Sequence, residues 1–315
     1  MRRFLIVSVL ACLLWAGIST TAAQSGPVSV RLELNQQFYY AGDSLEVRIS
    51  VRNDGTEAIP NPIKSPLFKA FKVHAGAQPL RARGKALGEE PSRPQQLAPQ
   101  SFYGGLVDLR RIYPELGEVG TYRIHWEADG LRSDQLVVTI IPRYDPNRTY
   151  LGRIETSQGQ ILVNFYPEHS PLAVKAFIDM ANAGFYDGML YDEVRADTYI
   201  AAGNPALAPS PRQPFLYPAE QSTLPLMAGT VVMKPAGATP PANGPEFLIL
   251  LRPHQAWTGQ VTVLGQVVRG LDVAQAISRV PSTGQSERPF FRPKQDVRIQ
   301  KVTILENKPD EGGLP

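Results

Sequence analysis

The sequence is poor in cysteine and histidine. Cys12 is the single cysteine among 315 residues, and it lies in an apolar run near the N-terminus. A chain with one cysteine cannot form an internal disulfide, so stability outside a reducing compartment has to come from packed cores. His74, His125, His169 and His254 are scattered, with no pair at metal-ligand spacing. We therefore predict no metal and no cofactor, and we interpret each histidine as a surface or packing residue.

The chain also has little net charge. Its formal net charge is +3, and the basic residues form no block. This composition gives no electrostatic reason to expect nucleic-acid binding. With 43% hydrophobic and 19% charged residues, the chain has the composition of a soluble globular protein. Its length corresponds to about two domains.

The only long apolar segment lies at the N-terminus. Arg2 and Arg3 precede an uncharged run from Phe4 to Gly17, and small residues follow as far as Ala23. This order predicts a signal peptide over residues 1–23 and an exported bacterial protein, periplasmic or secreted. The run is shorter than the roughly 20 residues of a bilayer-spanning helix, which disfavours a retained anchor. The letters VLAC leave a lipoprotein-type cleavage site open as a weaker alternative, because the apolar run continues past the cysteine.

Residues 24–143 are predicted to form an immunoglobulin-like β-sandwich. Apolar and polar residues alternate over 28–34 and 45–51, which is typical of strands with one buried face. Strands are also expected at 120–128 and 135–141. Several short strands without a helical period favour two antiparallel sheets.

The segment between these strands looks less regular. Residues 75–118 are rich in Pro, Gly, Arg and Gln, and we predict a long, partly irregular connection. Part of it, with the strand that follows, reads LAPQ…VDLRRIYPELGEVGTYRIHWEADG. This order of turn, short helical segment and strand resembles immunoglobulin-like modules of exported bacterial proteins. Such a resemblance concerns architecture and not activity.

A second domain is predicted over residues 149–307, after a linker at 144–148 and before a disordered tail at 308–315. It opens with a hairpin that turns at Ser157 to Gly159. A helix follows, with Ser170 as its predicted N-cap and Pro171 in its first turn.

This second domain carries an ordered series of motifs. They are ETSQGQILVNFYPEHSPLAVKAFIDMANAGFYDGMLYDEV (155–194), GNP (203–205), AGTVVM (228–233), NGPEFLI (243–249) and TVLGQVVRGLDVAQAI (262–277). In this order and spacing, residues 149–306 resemble the cyclophilin-type peptidyl-prolyl isomerases. The resemblance implies a mainly β chain whose second domain is an eight-stranded barrel with two capping helices. It also implies an outer groove that binds proline-containing peptide or protein segments.

The reaction implied by this resemblance is rotation about an X-Pro peptide bond. Its barrier is about 18–20 kcal/mol because amide resonance has to be broken. The family uses an arginine that hydrogen bonds the prolyl amide, a glutamine and backbone groups that hold the peptide, and an apolar aromatic pocket for the proline ring. Placed donors and shape therefore stabilise the transition state without a metal or a covalent intermediate.

Other residues occupy most of these positions here. Counting from Tyr191 and Gly203, the arginine position holds Glu193, a pocket phenylalanine position holds Thr198, and the glutamine position holds Ala201. A carboxylate cannot donate a hydrogen bond at neutral pH. We therefore assign no residue as catalytic.

The predicted peptide groove combines replaced positions with their neighbours. In NGPEFLI a family glutamine position is Glu246 and a phenylalanine position is Leu248, while Ala256 and Val261 hold the rim tryptophan and histidine positions. Tyr199 lies one residue beyond a vacated aromatic position, and we expect it to reach the groove only through a compensating bulge. The predicted groove residues are Tyr199, Met233, Asn243, Glu246, Leu248, Ala256, Trp257 and Val261.

These replacements favour a peptide-binding module with weak or absent isomerase activity. The alternative is an active isomerase that assists the folding of exported proteins. A repurposed acidic site would use Asp192, Glu193, Asp197 and Glu246. Because side chains alternate along a strand, Asp192 and Glu193 cannot both face the groove. The simpler form of the acidic hypothesis is a peptide-binding face that prefers basic partners.

Overall fold

The computed structural model describes residues 27–36, 38–84, 90–209, 216–236 and 242–307. The predicted signal peptide and the predicted tail lie outside the described residues. The chain divides into two compact units, Met1–Ile140 and Ile141–Pro315. The predicted domain and linker bounds stay predictions. Strands dominate both units, so the prediction of a mainly β chain is confirmed.

Short antiparallel strands build the first unit. They are β1 (Val28–Leu34), β2 (Phe38–Tyr40), β3 (Glu46–Asn53), β4 (Ile59–Pro60), β5 (Phe71–Ala75), β6 (Gln78–Pro79), β7 (Gln96–Leu97), β8 (Phe102–Asp108), β9 (Gly120–Ala128), β10 (Leu131–Arg132) and β11 (Leu136–Ile141). Single-turn 3-10 helices occupy Leu67–Lys69, Leu109–Arg111 and Pro114–Gly117. One sheet has the order β1-β3-β8, and a second has the order β2-β11-β9-β5-β6 with β10 beside β9. Strand β4 pairs with β7.

The two larger sheets of the first unit share one hydrophobic core. Alternate residues of β1 and β3 point into it, as the sequence pattern predicts. Trp126 of β9 is fully buried there, and its Nε1 donates a hydrogen bond to the Leu67 carbonyl oxygen at 2.7 Å. The immunoglobulin-like type of this two-sheet arrangement stays a prediction.

Residues 75–118 are more regular than predicted. Strand β8 pairs with β3 along its whole length, inside the segment that we predicted as a partly irregular connection. Two adjacent glycines interrupt the alternation in β8 and hide it from pattern analysis. At Gly104 an added Cβ would lie 1.9 Å from the Ile49 carbonyl oxygen. The close approach of the two strands therefore requires glycine at this position.

The second unit contains one large antiparallel sheet and two helices. Its elements are β12 (Thr149–Thr156), β13 (Gly159–Phe165), α1 (Pro171–Asn182), β14 (Tyr191–Arg195), β15 (Tyr199–Ala202), β16 (Tyr217–Pro218), β17 (Thr230–Pro235), β18 (Ala242–Leu250), β19 (Thr262–Arg269), α2 (Leu271–Ser278) and β20 (Ile299–Asn307). Single-turn 3-10 helices occupy Pro205–Leu207 and Gln255–Trp257. The strand order is β14-β15-β18-β17-β19-β13-β12-β20, with β16 beside β18.

This sheet curls so that its two outer strands are linked near one end. Gly188 N and Tyr191 N donate hydrogen bonds to the carbonyl oxygens of Ile299 and Val297, at 2.8 and 2.9 Å. Ile299 N donates in return to the Met189 carbonyl oxygen at 2.8 Å. An apolar cluster that includes residues of both helices fills the interior of the curled sheet. The arrangement fits the fold that the family resemblance implied.

Helix α1 begins where predicted, but a different residue caps it. Ser170 occupies the N-cap position, yet its Oγ donates to the Val263 carbonyl oxygen and makes no cap hydrogen bond. The Glu220 carboxylate instead accepts from Leu172 N and Ala173 N, at 3.1 and 2.9 Å. An anionic acceptor suits this place because the free amides at a helix N-terminus carry partial positive charge. The prediction of a serine cap was therefore wrong.

Candidate functional site

The outer face of four neighbouring strands carries the candidate site. Strand pairing in β14, β15, β18 and β17 places Glu193 opposite Ala201, Ala201 opposite Leu248, and Leu248 opposite Val232. Because alternate residues of a strand share a face, Tyr199 lies on the same side of β15 as Ala201. The residues between them point into the interior cluster.

A cavity of about 300 Å³ opens on this outer face. Its lining residues are Glu193, Tyr199, Val232, Met233, Lys234, Pro235, Leu248, Trp257, Gln260 and Val261. A small apolar cluster that includes Tyr199, Ala201 and Leu248 lies directly beneath it. The site is therefore open beside Leu248 and Trp257, with a largely apolar surface and few charged groups.

The lining includes several of the predicted groove residues. Tyr199, Leu248, Trp257 and Val261 contribute to the cavity from three strands or the loops beside them. Met233 also contributes, although it is fully buried and belongs to the interior cluster. The structure therefore brings these five residues together around one space.

Three other predicted groove residues do not line the cavity. Ala256 is exposed, and its carbonyl oxygen accepts a hydrogen bond from Gln260 Nε2 at 2.8 Å. Asn243 is 1% exposed, and its Nδ2 donates to Thr262 Oγ1 at 2.8 Å, so it stabilises the sheet from within. Glu246 lies next to the cavity and reaches it only through its contact with a lining residue.

Tyr199 reaches the cavity without a bulge in its own strand. The pairing of β14 with β15 is regular from Glu193 to Arg195, and the irregularity falls just before Glu193. The irregularity of this strand pair therefore lies in β14, at Asp192, and not in β15. Tyr199 shares its face with Ala201, whereas Thr198 lies in the turn that precedes the strand.

Glu193, which we predicted to hold the arginine position, acts as a hydrogen-bond acceptor. Tyr199 Oη donates to Glu193 Oε1 at 2.6 Å, and Arg195 Nε donates to the same oxygen at 2.8 Å. The Arg195 guanidinium carbon lies 5.2 Å from the centroid of the Tyr199 ring and 4.0 Å from that of Phe291. Burial raises the pKa of Tyr199, and its hydrogen bond to the Glu193 carboxylate adds to this rise. The hydroxyl therefore stays protonated at neutral pH and stabilises the carboxylate.

Lys234 is the cationic residue of the cavity lining, and the sequence analysis did not identify it. Its Nζ donates to Glu246 Oε2 at 2.6 Å. Burial lowers the pKa of Lys234, but the hydrogen bond and charge of Glu246, with the charges of Asp192 and Glu193, raise it above its ordinary value. Lys234 is two residues after the lining residue Val232 on one strand, and this period-two spacing is the signal that could have found it.

Asp192 lies at the irregularity of β14 and does not line the cavity. Its Oδ2 is 3.4 Å from Asn204 Nδ2, while its Oδ1 is buried without a hydrogen-bond partner among the described residues. Burial raises the pKa of Asp192; the charge of Lys234 lowers it, the charge of Glu246 raises it, and the net shift is upward. Asp197 also lies away from the cavity, where it pairs with Arg279 at 2.8 Å.

In the described part of the chain, no three His, Cys, Asp or Glu side chains form a candidate metal-ligand group. His254 packs against the aromatic side chains of the cavity lining. Its ring stacks on Trp257 with centroids 4.5 Å apart and lies 6.3 Å from the Tyr199 ring. Burial lowers the pKa of His254, which makes the neutral imidazole the form present at pH 7.

Comparison with known proteins finds similarity over the second unit. Residues 151–304 match the family model described as cyclophilin type peptidyl-prolyl cis-trans isomerase/CLD. The peptidyl-prolyl cis-trans isomerase ppi1 of Schizosaccharomyces pombe is 30% identical over 155 residues, which cover 48% of this chain and 97% of that protein. The mouse (Mus musculus) peptidyl-prolyl cis-trans isomerase-like 1 is 28% identical over 167 residues, covering 50% of this chain and 93% of that protein.

A similar solved structure is a Cryptosporidium parvum cyclophilin type peptidyl-prolyl cis-trans isomerase, crystallised in the presence of the dipeptide Ala-Pro. It is 20% identical, covers 50% of this chain and 99% of its own, and has a TM-score of 0.45. The matches to the family model and to the Schizosaccharomyces pombe relative decide the assignment. This chain belongs to the cyclophilin-type peptidyl-prolyl cis-trans isomerase family.

Neither helix of the described residues has the length and apolar character needed to cross a membrane.

Proposed function

We propose that the outer groove of the second unit binds proline-containing segments, and that its isomerase activity is weak or absent. One observation carries the proposal. The cavity offers an open apolar surface at Leu248, Trp257 and Val261, while Glu193 at the arginine position accepts hydrogen bonds and donates none. Features that favour binding are therefore retained, and the donor that the reaction needs is missing from its position.

The electrostatics at Glu193 oppose catalysis of X-Pro rotation. As the bond rotates, the prolyl nitrogen gains a lone pair that a hydrogen-bond donor can stabilise. A carboxylate at this place carries a charge opposite to that of the family's arginine, and it cannot donate a hydrogen bond to the prolyl nitrogen. Loss of one oriented donor from an electrostatic site typically lowers the rate by about 100- to 1000-fold. We therefore expect turnover close to the uncatalysed rate.

The apolar lining favours peptide binding through the burial of apolar surface, which does not depend on the electrostatics at Glu193. Apolar surface removed from water stabilises a complex by about 25 cal/mol per Å² before the costs of association. Trp257 and Tyr199 present aromatic surface with ring centroids 5.9 Å apart, and aromatic residues are common at binding hot spots. A proline ring, which is apolar and already rigid, loses little conformational entropy when it enters such a cavity.

The decisive experiment combines binding and catalysis on the same purified protein. A panel of X-Pro peptides is titrated calorimetrically, and cis-trans exchange of each peptide is followed by NMR with and without the protein. We expect measurable binding without clear acceleration of exchange. Glu193→Arg adds a donor at the family position, and Glu193→Gln is the matched control because it removes the charge without adding a guanidinium.

Clear acceleration by the unaltered protein would contradict the claim of weak activity and would support the alternative of an active isomerase for exported proteins. Absence of binding to every peptide of the panel would contradict the binding claim. Gain of activity in Glu193→Arg, but not in Glu193→Gln, would identify the missing donor as the cause of low turnover.

Export is a second part of the proposal. The run from Phe4 to Gly17, after Arg2 and Arg3 and before small residues, supports a cleaved signal peptide and a periplasmic or secreted location. Mass spectrometry of the protein from its native cell fraction should show a mature chain that begins at Gln24. A mature protein that retains Arg2 would contradict cleavage at this site.

The two-sheet core of the first unit supports an immunoglobulin-like domain, which we propose as an additional interaction surface.

The proposed preference of the groove for basic partners has less support. Glu193 pairs with Arg195 at 2.8 Å, and Glu246 pairs with Lys234 at 2.6 Å. These internal cations offset part of the acidic charge of the groove. Titration with matched Lys-Pro and Gln-Pro peptides tests the preference, and equal affinities would refute it.

A further inference from the structure

We infer that Lys234 is a substrate-binding residue that donates a hydrogen bond to a backbone carbonyl oxygen of the bound proline-containing segment. This inference rests on the proposed function and assigns one contact within it. It means that the groove contains a cation on β17, in a different strand from the family's arginine position on β14.

The position of Lys234 makes such a contact possible. It lines the cavity together with Val232, Leu248 and Glu193, so a segment in the cavity comes within reach of its side chain. The Lys234 side chain is 37% exposed and the Glu246 side chain 27% exposed. A partly exposed amine can meet a ligand without first breaking out of a closed core.

The hydrogen bonds of Lys234 leave donors available. An ammonium group has three N–H donors. Within the described ranges, the hydrogen-bond partner of Nζ is Glu246 Oε2, at 2.6 Å. This short contact restrains the side chain, because a carboxylate on the neighbouring strand holds one end of an otherwise flexible residue. The remaining N–H groups can point into the cavity at a lower entropic cost than those of an unrestrained lysine.

The surrounding charges indicate the chemistry of the acceptor. Asp192, Glu193 and Glu246 all act electrostatically on Lys234, so an incoming carboxylate would meet several negative charges. A neutral carbonyl oxygen accepts from the ammonium without that repulsion. Every peptide segment carries such carbonyls, and an X-Pro segment keeps them because proline lacks only the N–H.

Donation to a carbonyl also agrees with low turnover. A contact that is equally strong in the ground state and in the transition state increases affinity without lowering the barrier. The Lys234 ammonium would therefore hold the segment, whereas stabilisation of the rotating amide nitrogen would still lack a donor at Glu193. The residue that holds the segment then lies on β17, and the position that lacks the catalytic donor lies on β14.

The test measures the affinity of the full-length protein for an uncharged peptide. The probe is an N-acetylated, C-amidated tetrapeptide with a central Ala-Pro bond, titrated by calorimetry. Lys234→Met, which keeps an unbranched side chain and removes the donor, should weaken binding at least about tenfold, as expected for a charge-assisted hydrogen bond. Lys234→Arg should stay within about threefold of the unaltered protein, and Lys301→Met, at an exposed residue of β20, should bind as the unaltered protein does.

The outcomes separate this inference from the proposed function. If the unaltered protein binds and Lys234→Met binds equally well, the inference is overturned and the proposed function stands. If the unaltered protein binds no X-Pro peptide, the proposed function itself has failed. A tenfold loss in Arg195→Met with none in Lys234→Met would assign the contact to the other cation and overturn the inference. A loss in Lys234→Met seen only with an acidic peptide would overturn the assignment of a carbonyl acceptor.

Discussion

The two faces of β15, β17 and β18 differ in what they retain from the family pattern. On the inner face, Ile200, Phe247 and Ile249 are fully buried against the helices. On the outer face lie Ala201 and Leu248, which the sequence analysis assigned to a glutamine and a phenylalanine position of the family. Packing density restricts the inner face, because every change of volume there leaves a void or an overlap. The outer face borders an open cavity, where a change of side-chain volume disturbs the packing less.

The largest effect is expected from the inner face. Phe247→Ala should lower the free energy of unfolding of the second unit by about 3–5 kcal/mol, the usual range for Phe→Ala in a core. The Phe247 ring packs edge-on against Phe177 and Tyr186, with centroids 5.6 and 5.8 Å apart. Chemical denaturation of the variant and of the unaltered protein, followed by tyrosine fluorescence, measures this loss of unfolding free energy. A loss below about 1 kcal/mol would show that the inner face is less restricted than we claim.

The neighbouring residue on the outer face provides the matched comparison. Leu248→Ala should lower the free energy of unfolding by about 2 kcal/mol, the lower end of the range for Leu→Ala, because one side of Leu248 already borders the cavity. The affinity of this variant for X-Pro peptides should fall by about tenfold, because an apolar wall of the cavity is lost. Calorimetric titration and denaturation of the same variant separate the two effects. Unchanged peptide affinity would mean that the segment binds elsewhere.

A smaller effect is expected from the hydroxyl of Tyr199. Tyr199→Phe removes the hydrogen bond to Glu193 and should lower the free energy of unfolding by about 1 kcal/mol. Glu193 keeps its contact with Arg195, and the shape of the cavity is preserved. Peptide affinity should therefore stay within about twofold. A much larger loss of affinity would show that the hydroxyl contacts the segment directly.

The smallest effect concerns Asp192 and depends on pH. Burial raises its pKa in the folded protein above the ordinary value of 3.8, so the charged form is destabilising at neutral pH. Asp192→Asn should raise the melting temperature at pH 7. This gain should shrink as the pH falls through the raised pKa and should vanish below 3.8, where the carboxyl is protonated in both the folded and the unfolded state. Thermal melts at several pH values measure it, and a gain that grows on acidification would have the wrong sign.

Local patterns predicted the opening of the second unit. The hairpin of β12 and β13 and the start of α1 at Pro171 follow from periodicity and turn residues, whereas AGTVVM and NGPEFLI were located through the family resemblance. Local patterns missed β8, whose glycines conceal the alternation, and they misassigned the cap of α1. Glu220 lies 50 residues along the chain from Ser170, so only the three-dimensional fold brings its carboxylate to the helix.

The candidate site was predictable only in part for a similar reason. Alignment to motifs located Leu248 and Trp257, because each residue falls at a known spacing from a framework glycine. Lys234 has no counterpart among the family positions that we considered, and its role depends on Glu246 across the sheet. The face of the sheet on which the Tyr199 side chain lies depends on the register of β15 with its neighbouring strands. Contacts between strands, which a single sequence does not show, decided both outcomes.

The pairing of β12 with β20 determines how the second unit can be joined to other domains. Thr149 and Asn307 are register partners, so the chain enters and leaves the second unit side by side. A unit with adjacent ends can be joined to another domain, or inserted into one of its loops, without stretching either partner. The same geometry would allow its original ends to be joined and new ends opened in an exposed turn.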